Sequence, residues 1–163
     1  MRKNELYRIA EHFSAYEVRF SDDGDSLQII NPFGKDAILV ECDGEAYIVC
    51  VTAHFHIHLE PVEQVVAYVR NILEGKRVII EFYKDGNWSM SADLKSQELR
   101  ELSYTSLSQR MHMVRDGKVV PYGDLLIEAA DSFHVRGWAQ DVDFDAVFVR
   151  DGQGNVTIQT CDA

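Results

Sequence analysis

Beyond the Asp23-Gly24 of an early turn, four Asp-Gly pairs punctuate the sequence, at Asp43-Gly44, Asp85-Gly86, Asp116-Gly117 and Asp151-Gly152. Such a pair supplies the left-handed backbone that a two-residue hairpin demands. Runs of strand-like residues flank the first three, so the chain is constrained towards antiparallel hairpins rather than parallel crossovers. Residues 37–42 and 45–59 flank the first pair, 77–84 and 87–94 the second, and 106–114 and 118–122 the third. Residues 16–20 and 26–31 read as strands around the turn Ser21–Asp25, and 132–139, 144–150 and 156–160 as three more.

Period 3.6 replaces period two in a few places. Asn4 is a candidate cap for a helix carrying Leu6, Ile9, Ala10 and Phe13 on one side. Glu60-Pro61 opens the clearest helix, with proline at the first helical position. Its stripe is Val62, Val65, Val66, Val69, Ile72 and Leu73, and Gly75 stops it. Residues 95–103 and 124–130 read as shorter helices. No linker or low-complexity tract divides the chain. The expectation is one α+β domain over 1–163: a mostly antiparallel twisted sheet built of hairpins, with an N-terminal helix and an amphipathic helix at about 61–74 packed on one face.

The first hairpin can be taken to individual faces. A two-residue Asp43-Gly44 loop pairs Cys42 with Glu45, Val40 with Tyr47 and Ile38 with Val49. One face then carries Ile38, Val40, Cys42, Tyr47, Val49, Val51, Ala53, Phe55, Ile57 and Leu59. The other carries Leu39, Glu41, Ile48, Cys50, Thr52, His54, His56 and His58. Phe55, Ile57 and Leu59 are expected to point inward against Val65, Val66, Val69 and Ile72, and the histidines outward, unless a bulge resets the register near Thr52 or Ala53. Cys42 and Cys50 do not face each other, so no disulfide joins them. The three cysteines, Cys42, Cys50 and Cys161, read as small buried hydrophobes of a reducing compartment.

Charge bounds the partners. The chain has 163 residues, 46% hydrophobic and 26% charged, with 27 acids against 16 bases and a net charge of −11. The acidity lies at the ends: net −6 over 1–60, +1 over 61–120 and −6 over 121–163. A duplex nucleic acid or an anionic membrane would be repelled, whereas a basic protein would be steered in. The start of the chain carries no apolar run of the secretory kind and no segment reaches membrane-spanning length, so cytoplasmic residence is expected. No cofactor motif is present, and no heptad or self-complementary stripe settles the oligomeric state.

Three groups of residues are candidates for function. Asp141, Asp143 and Asp145 alternate, which on one strand sets three carboxylates on one face; their mutual repulsion would be relieved by a basic partner. Tyr83 and Trp88 pair across the 85–86 turn, on a face shared with Ile79 and Met90, as core packing or an aromatic anchor for a partner. His54, His56 and His58 alternate on one strand at about 6.6–6.8 Å spacing, a possible metal-binding or acid–base group, with the alternating aspartates as candidate carboxylate ligands.

The string His54-Phe55-His56-Ile57-His58-Leu59 resembles the histidine-triad signature of nucleotide hydrolases and transferases, a resemblance that implies His56 as nucleophile in a phosphoester-hydrolysing enzyme. Glu60 stands where that pattern has a further apolar residue, and the upstream stretch 45–52 lacks the family's phosphate-receiving glycines. Residues 54–94 resemble small bacterial proteins of the toxin-immunity type: a strand ending His54-Phe55-His56, the helix Val62 to Leu73, then Arg77 to Gly86 leading into Trp88. That resemblance implies a non-enzymatic binding module, an acidic antidote to a basic toxin. The histidine-centred enzyme or metal protein stays as the alternative.

Overall fold

The computed structural model describes residues 3–161. The architecture is α+β and its strands are antiparallel throughout, as the turn chemistry predicts. Contacts gather into two compact units, Met1–Lys76 and Arg77–Ala163.

The first unit is a five-stranded meander. Helix α1 (Lys3–Glu11) precedes β1 (Val18–Phe20), β2 (Ser26–Ile29), β3 (Ile38–Asp43), β4 (Ala46–Thr52) and β5 (Phe55–Leu59), which pair in sequence order. Helix α2 (Val62–Leu73) follows and contacts β4, β5 and α1. Its predicted stripe is buried in full, with Tyr68 added. Pro61 occupies the N-cap rather than the first helical position, in extended backbone. At the other end Gly75, in left-handed backbone (φ 69°), donates to Ile72 and Lys76 N–H donates to Asn71. These two bonds form a Schellman closure, which satisfies carbonyls the helix would otherwise leave open. Asn4 lies inside α1, not at its cap, because helical backbone already includes Lys3.

Two expectations about the first hairpin are corrected. Its turn is Gly44-Glu45, so Asp43 pairs Ala46, Cys42 pairs Tyr47 and Val40 pairs Val49. The left-handed conformation falls only on Gly44 (φ 55°), the pattern of a turn with glycine first. Because the register moves by two residues, both faces keep their membership. The long strand expected over 45–59 is instead two strands. A bulge between Cys50 and Thr52 and a turn at Ala53-His54 fold it back on itself. No glycine marks that turn; the Thr52 hydroxyl closes it by accepting the His54 N–H at 3.2 Å. The inward set therefore ends on an edge strand with one neighbour. Phe55, Ile57 and Leu59 are half-buried while His54, His56 and His58 are exposed. Full burial belongs to the central strands, at Ile38, Val40 and Val49.

The second unit has a sheet of β6 (Arg77–Lys84), β7 (Asn87–Lys95), β10 (Ser132–Arg136), β11 (Phe144–Arg150) and β12 (Val156–Cys161), in the order β12-β11-β10-β6-β7. A 3-10 segment at Ser96–Glu101, helix α3 (Tyr104–Arg110), the separate ribbon β8 (His112–Arg115) with β9 (Lys118–Pro121), and helix α4 (Leu126–Ala129) lie between β7 and β10 in the chain. Asp85-Gly86 and Asp116-Gly117 form the predicted hairpins, with left-handed backbone at both residues of each. The strand expected over 106–114 is largely helix. Ser103 caps α3 by accepting the Ser106 N–H at 3.0 Å, and Ser106 Oγ accepts the Ser103 N–H at 2.9 Å. Serine thus stands where a capping box usually has Glu or Gln. The core packs Val78, Ile80 and Phe82 of β6, Phe133 and Val135 of β10, and Ala146 and Phe148 of β11 against Tyr104, Leu107, Met111 and Leu126.

Candidate functional site

The three aspartates do not share a strand face. Asp141 is exposed in a 3-10 turn (Gln140–Val142), Asp143 follows it, and only Asp145 belongs to β11. Asp143 is committed to structure: its Oδ1 accepts the Gly137 N–H at 2.8 Å. The alternation expected of a strand starts only at Phe144, because residues 137–143 form the β10–β11 connection.

Asp145 does join a polar cluster on the sheet face opposite the core. Across β6, β10 and β11, Glu81 pairs His134 and His134 pairs Asp145. Arg136 Nη2 lies 3.0 Å from Asp145 Oδ1 and 2.8 Å from His134 Nδ1. A guanidinium has no acceptor, so Nδ1 accepts and the ring proton sits on Nε2. Tyr83 stacks on His134 with centroids 4.4 Å apart and donates to Glu81 at 3.1 Å. Burial, the charge of Glu81 and this hydrogen bond push the Tyr83 hydroxyl above its usual 10.0. Tyr83 and Trp88 are cross-strand partners, as expected. Trp88 is 46% exposed and its Nε1–H donates to Ser91 at 2.8 Å. Met90 is on the other face: a bulge beside Tyr83 pairs it with Phe82 and turns it to the core.

The histidines are divided in a similar way. His56 and His58 share a face of β5, with ring centroids 5.4 Å apart, while His54 is in the turn. His58 Nδ1 lies 3.9 Å from Asp43 Oδ2. Among the described residues no group of three or more His, Cys, Asp or Glu side chains is gathered as a metal site. Cys50 is the cross-strand partner of His56. Burial and the nearby Glu41 push its thiol above the usual 9.0, which disfavours the thiolate a nucleophile needs. Cys42 and Cys50 are half-buried and unbridged; Cys161 is exposed, contrary to expectation, because β12 is an edge strand.

A pocket that the sequence reading missed lies in the first unit. It is an open cavity of about 420 Å³. Helix α1 supplies Glu5 and Arg8, the β3–β4 hairpin supplies Glu45 and Tyr47, and the approach to α2 supplies Glu60, Pro61, Val62 and Glu63. Tyr47 is nearly fully buried and its hydroxyl hydrogen-bonds the Glu5 carboxylate. Four carboxylates and one guanidinium thus surround a floor of Tyr47, Pro61 and Val62. Glu63 also stands in the first turn of α2, where the helix dipole favours an anion. Glu60 and Glu63 bracketing Pro61-Val62 was the one local sign. Glu5 and Glu45 reach the same place only through the meander.

No protein-family model, curated protein or solved structure matches this chain. No helix among the described residues is long and apolar enough to cross a membrane.

Proposed function

We propose that this chain is a protein-binding module of the immunity type, and that the pocket around Tyr47 receives a basic side chain of its partner, a basic protein such as a toxin. The observation that carries the reading is the pocket's net negative lining: Glu5, Glu45, Glu60 and Glu63 against the single guanidinium of Arg8. Exposed ion pairs contribute only about 0.2–1 kcal/mol each. The carboxylates would therefore set the rate and choice of partner, and contact with Tyr47, Pro61 and Val62 would supply the holding. On the other unit Tyr83 and Trp88, aromatic types that anchor interfaces, are cross-strand partners, and Asp145 is paired with Arg136. Asp141 is exposed, and Asp143 is held by Gly137.

The test is retention of a basic protein from the native host at low salt, by wild type and by the triple variant Glu45→Gln, Glu60→Gln, Glu63→Gln. Wild type is expected to retain it and release it as salt rises; the variant is expected not to. Equal retention by both, or recovery of no basic protein, would overturn the reading. The histidine-centred alternative would rest on His56 and His58 alone, and metal analysis of untagged protein with a phosphate-ester assay decides it.

A further inference from the structure

A second cleft, in the other unit and sharing no residue with the acidic pocket, has a different chemistry. It lies between the end of β7, the 3-10 segment Ser96–Glu101 and α3, with a volume of about 160 Å³. An apolar cavity near ~150 Å³ accommodates a benzene-sized group, so one side chain fits here and a drug-sized ligand does not. Leu94 and Leu107, both buried, form the floor with Leu102. Glu98, Glu101 and Arg110 carry both signs of charge to the rim, with Ser106 between.

The rim charges are only partly used within the fold. Arg110 Nη2 donates to the Asp93 carbonyl at 3.3 Å, and Nη1 is 3.9 Å from Glu98 Oε1. A guanidinium has five N–H donors, so most of its capacity stays open to a carboxylate. Glu98 Oε2 accepts the Lys95 N–H at 2.7 Å, which fixes the 3-10 segment and holds that carboxylate at the rim. Glu101 brings a second carboxylate one turn further along.

A cation, two anions and three leucines lining one cleft match three groups on one small molecule. We propose that this cleft binds a free α-amino acid with an apolar side chain. Arg110 takes the α-carboxylate, Glu98 and Glu101 take the α-ammonium, and Leu94, Leu102 and Leu107 cover the side chain. A residue within a partner's chain has neither charge, which favours the free amino acid over a peptide.

The experiment is titration of isotope-labelled protein with L-leucine and L-phenylalanine, followed by amide chemical shifts. Saturable shifts confined to residues 94–110 are expected, with half-saturation at about 1 mM or below. Leucine amide and N-acetyl-leucine, each lacking one charge, are expected to bind at least about tenfold more weakly. Arg110→Gln is expected to weaken leucine by a similar factor while the spectrum stays dispersed. Equal binding of leucine and its two blocked forms would overturn the proposal, leaving an unselective apolar dent. So would the absence of saturation by about 10 mM.

Discussion

The two five-stranded sheets are both antiparallel, yet they are assembled differently. In the first unit every strand pairs with its neighbour in sequence, from β1 to β5. In the second, the β6–β7 hairpin meets the β10–β12 meander only through β6 against β10, with α3, the β8–β9 ribbon and α4 intervening in the chain. The cores differ with the assembly. The first unit's core is mainly aliphatic, Leu6, Ile9, Leu27, Ile29, Ile38 and Ile72 among its members, with Phe13 and Tyr47 as buried rings. The second is centred on rings: Phe133 lies 5.9 Å from Phe82, 5.4 Å from Phe148 and 6.2 Å from Phe144 between centroids. Local pairing can be assembled from many interchangeable aliphatic contacts. A long-range seam gains from side chains large enough to tie several strands at once, because its loop-closure cost comes before any contact rewards it.

Truncating the seam tests this most severely. Phe133→Ala removes the ring shared by β6, β10 and β11 and is expected to cost about 3–5 kcal/mol. Ile38→Ala, equally buried in the meander, is expected at about 2–5 kcal/mol, towards the lower part of that range because aliphatic neighbours close the gap more readily. Urea unfolding of the two variants measures both. A larger loss for Ile38→Ala would remove the special weight given to the aromatic seam.

The next effect concerns the connection that follows the seam. A Cβ on Gly137 would overlap Val142 Cγ2 and would have to displace the turn that lets Asp143 accept the Gly137 N–H. Gly137→Ala is expected to cost about 1–3 kcal/mol, the range for overpacking, read as a shift of the unfolding midpoint. Unchanged stability would show that the connection gives way freely.

These seam features were the least legible in the sequence, and the reason is physical. The Asp-Gly turns at 85–86 and 116–117 and the α2 stripe from Val62 to Leu73 are written in consecutive residues, and each forms as read. The pairing of His134 with Glu81 depends on β10 meeting β6, which no local pattern encodes. Asp141, Asp143 and Asp145 alternate as a strand would, but tertiary packing gives 140–142 to a 3-10 turn. The acidic pocket was illegible for a related reason: Glu5, Glu45 and Glu60 are far apart in the chain.

Two hydroxyl side chains that close local structure set smaller effects, one in each unit. Thr52 closes the β4–β5 turn and Ser103 starts α3, both through a hydroxyl that accepts a backbone N–H. Ser103→Ala is expected to cost about 1 kcal/mol, as a lost helix cap does. Thr52→Val keeps the shape and removes one hydrogen bond at an exposed site, so about 0.5–1 kcal/mol is expected. Thermal or urea unfolding ranks the pair, and a Thr52→Val loss above that of Ser103→Ala would reverse the order.

The smallest expected effect is an alkaline slope to which each unit contributes one acid. Burial first, then Glu41, pushes the Cys50 thiol above its usual 9.0, and burial first, then Glu81, pushes the Tyr83 hydroxyl above its usual 10.0. In both cases the folded chain holds the proton more firmly than the unfolded chain. The unfolded state therefore binds fewer protons over the titration range, and stability falls as pH rises. Below each group's unfolded value both states are protonated and the slope vanishes. It begins for Cys50 as pH passes 9.0, joins that of Tyr83 as pH passes 10.0, and flattens above each folded value. Cys50→Ala is expected to remove the earlier limb and Tyr83→Phe the later one, in urea midpoints measured from neutral to strongly alkaline pH. If Tyr83→Phe leaves the later limb in place, the Glu81 contact does not hold the tyrosine proton, and the polar face of the second unit is looser than its hydrogen bonds imply.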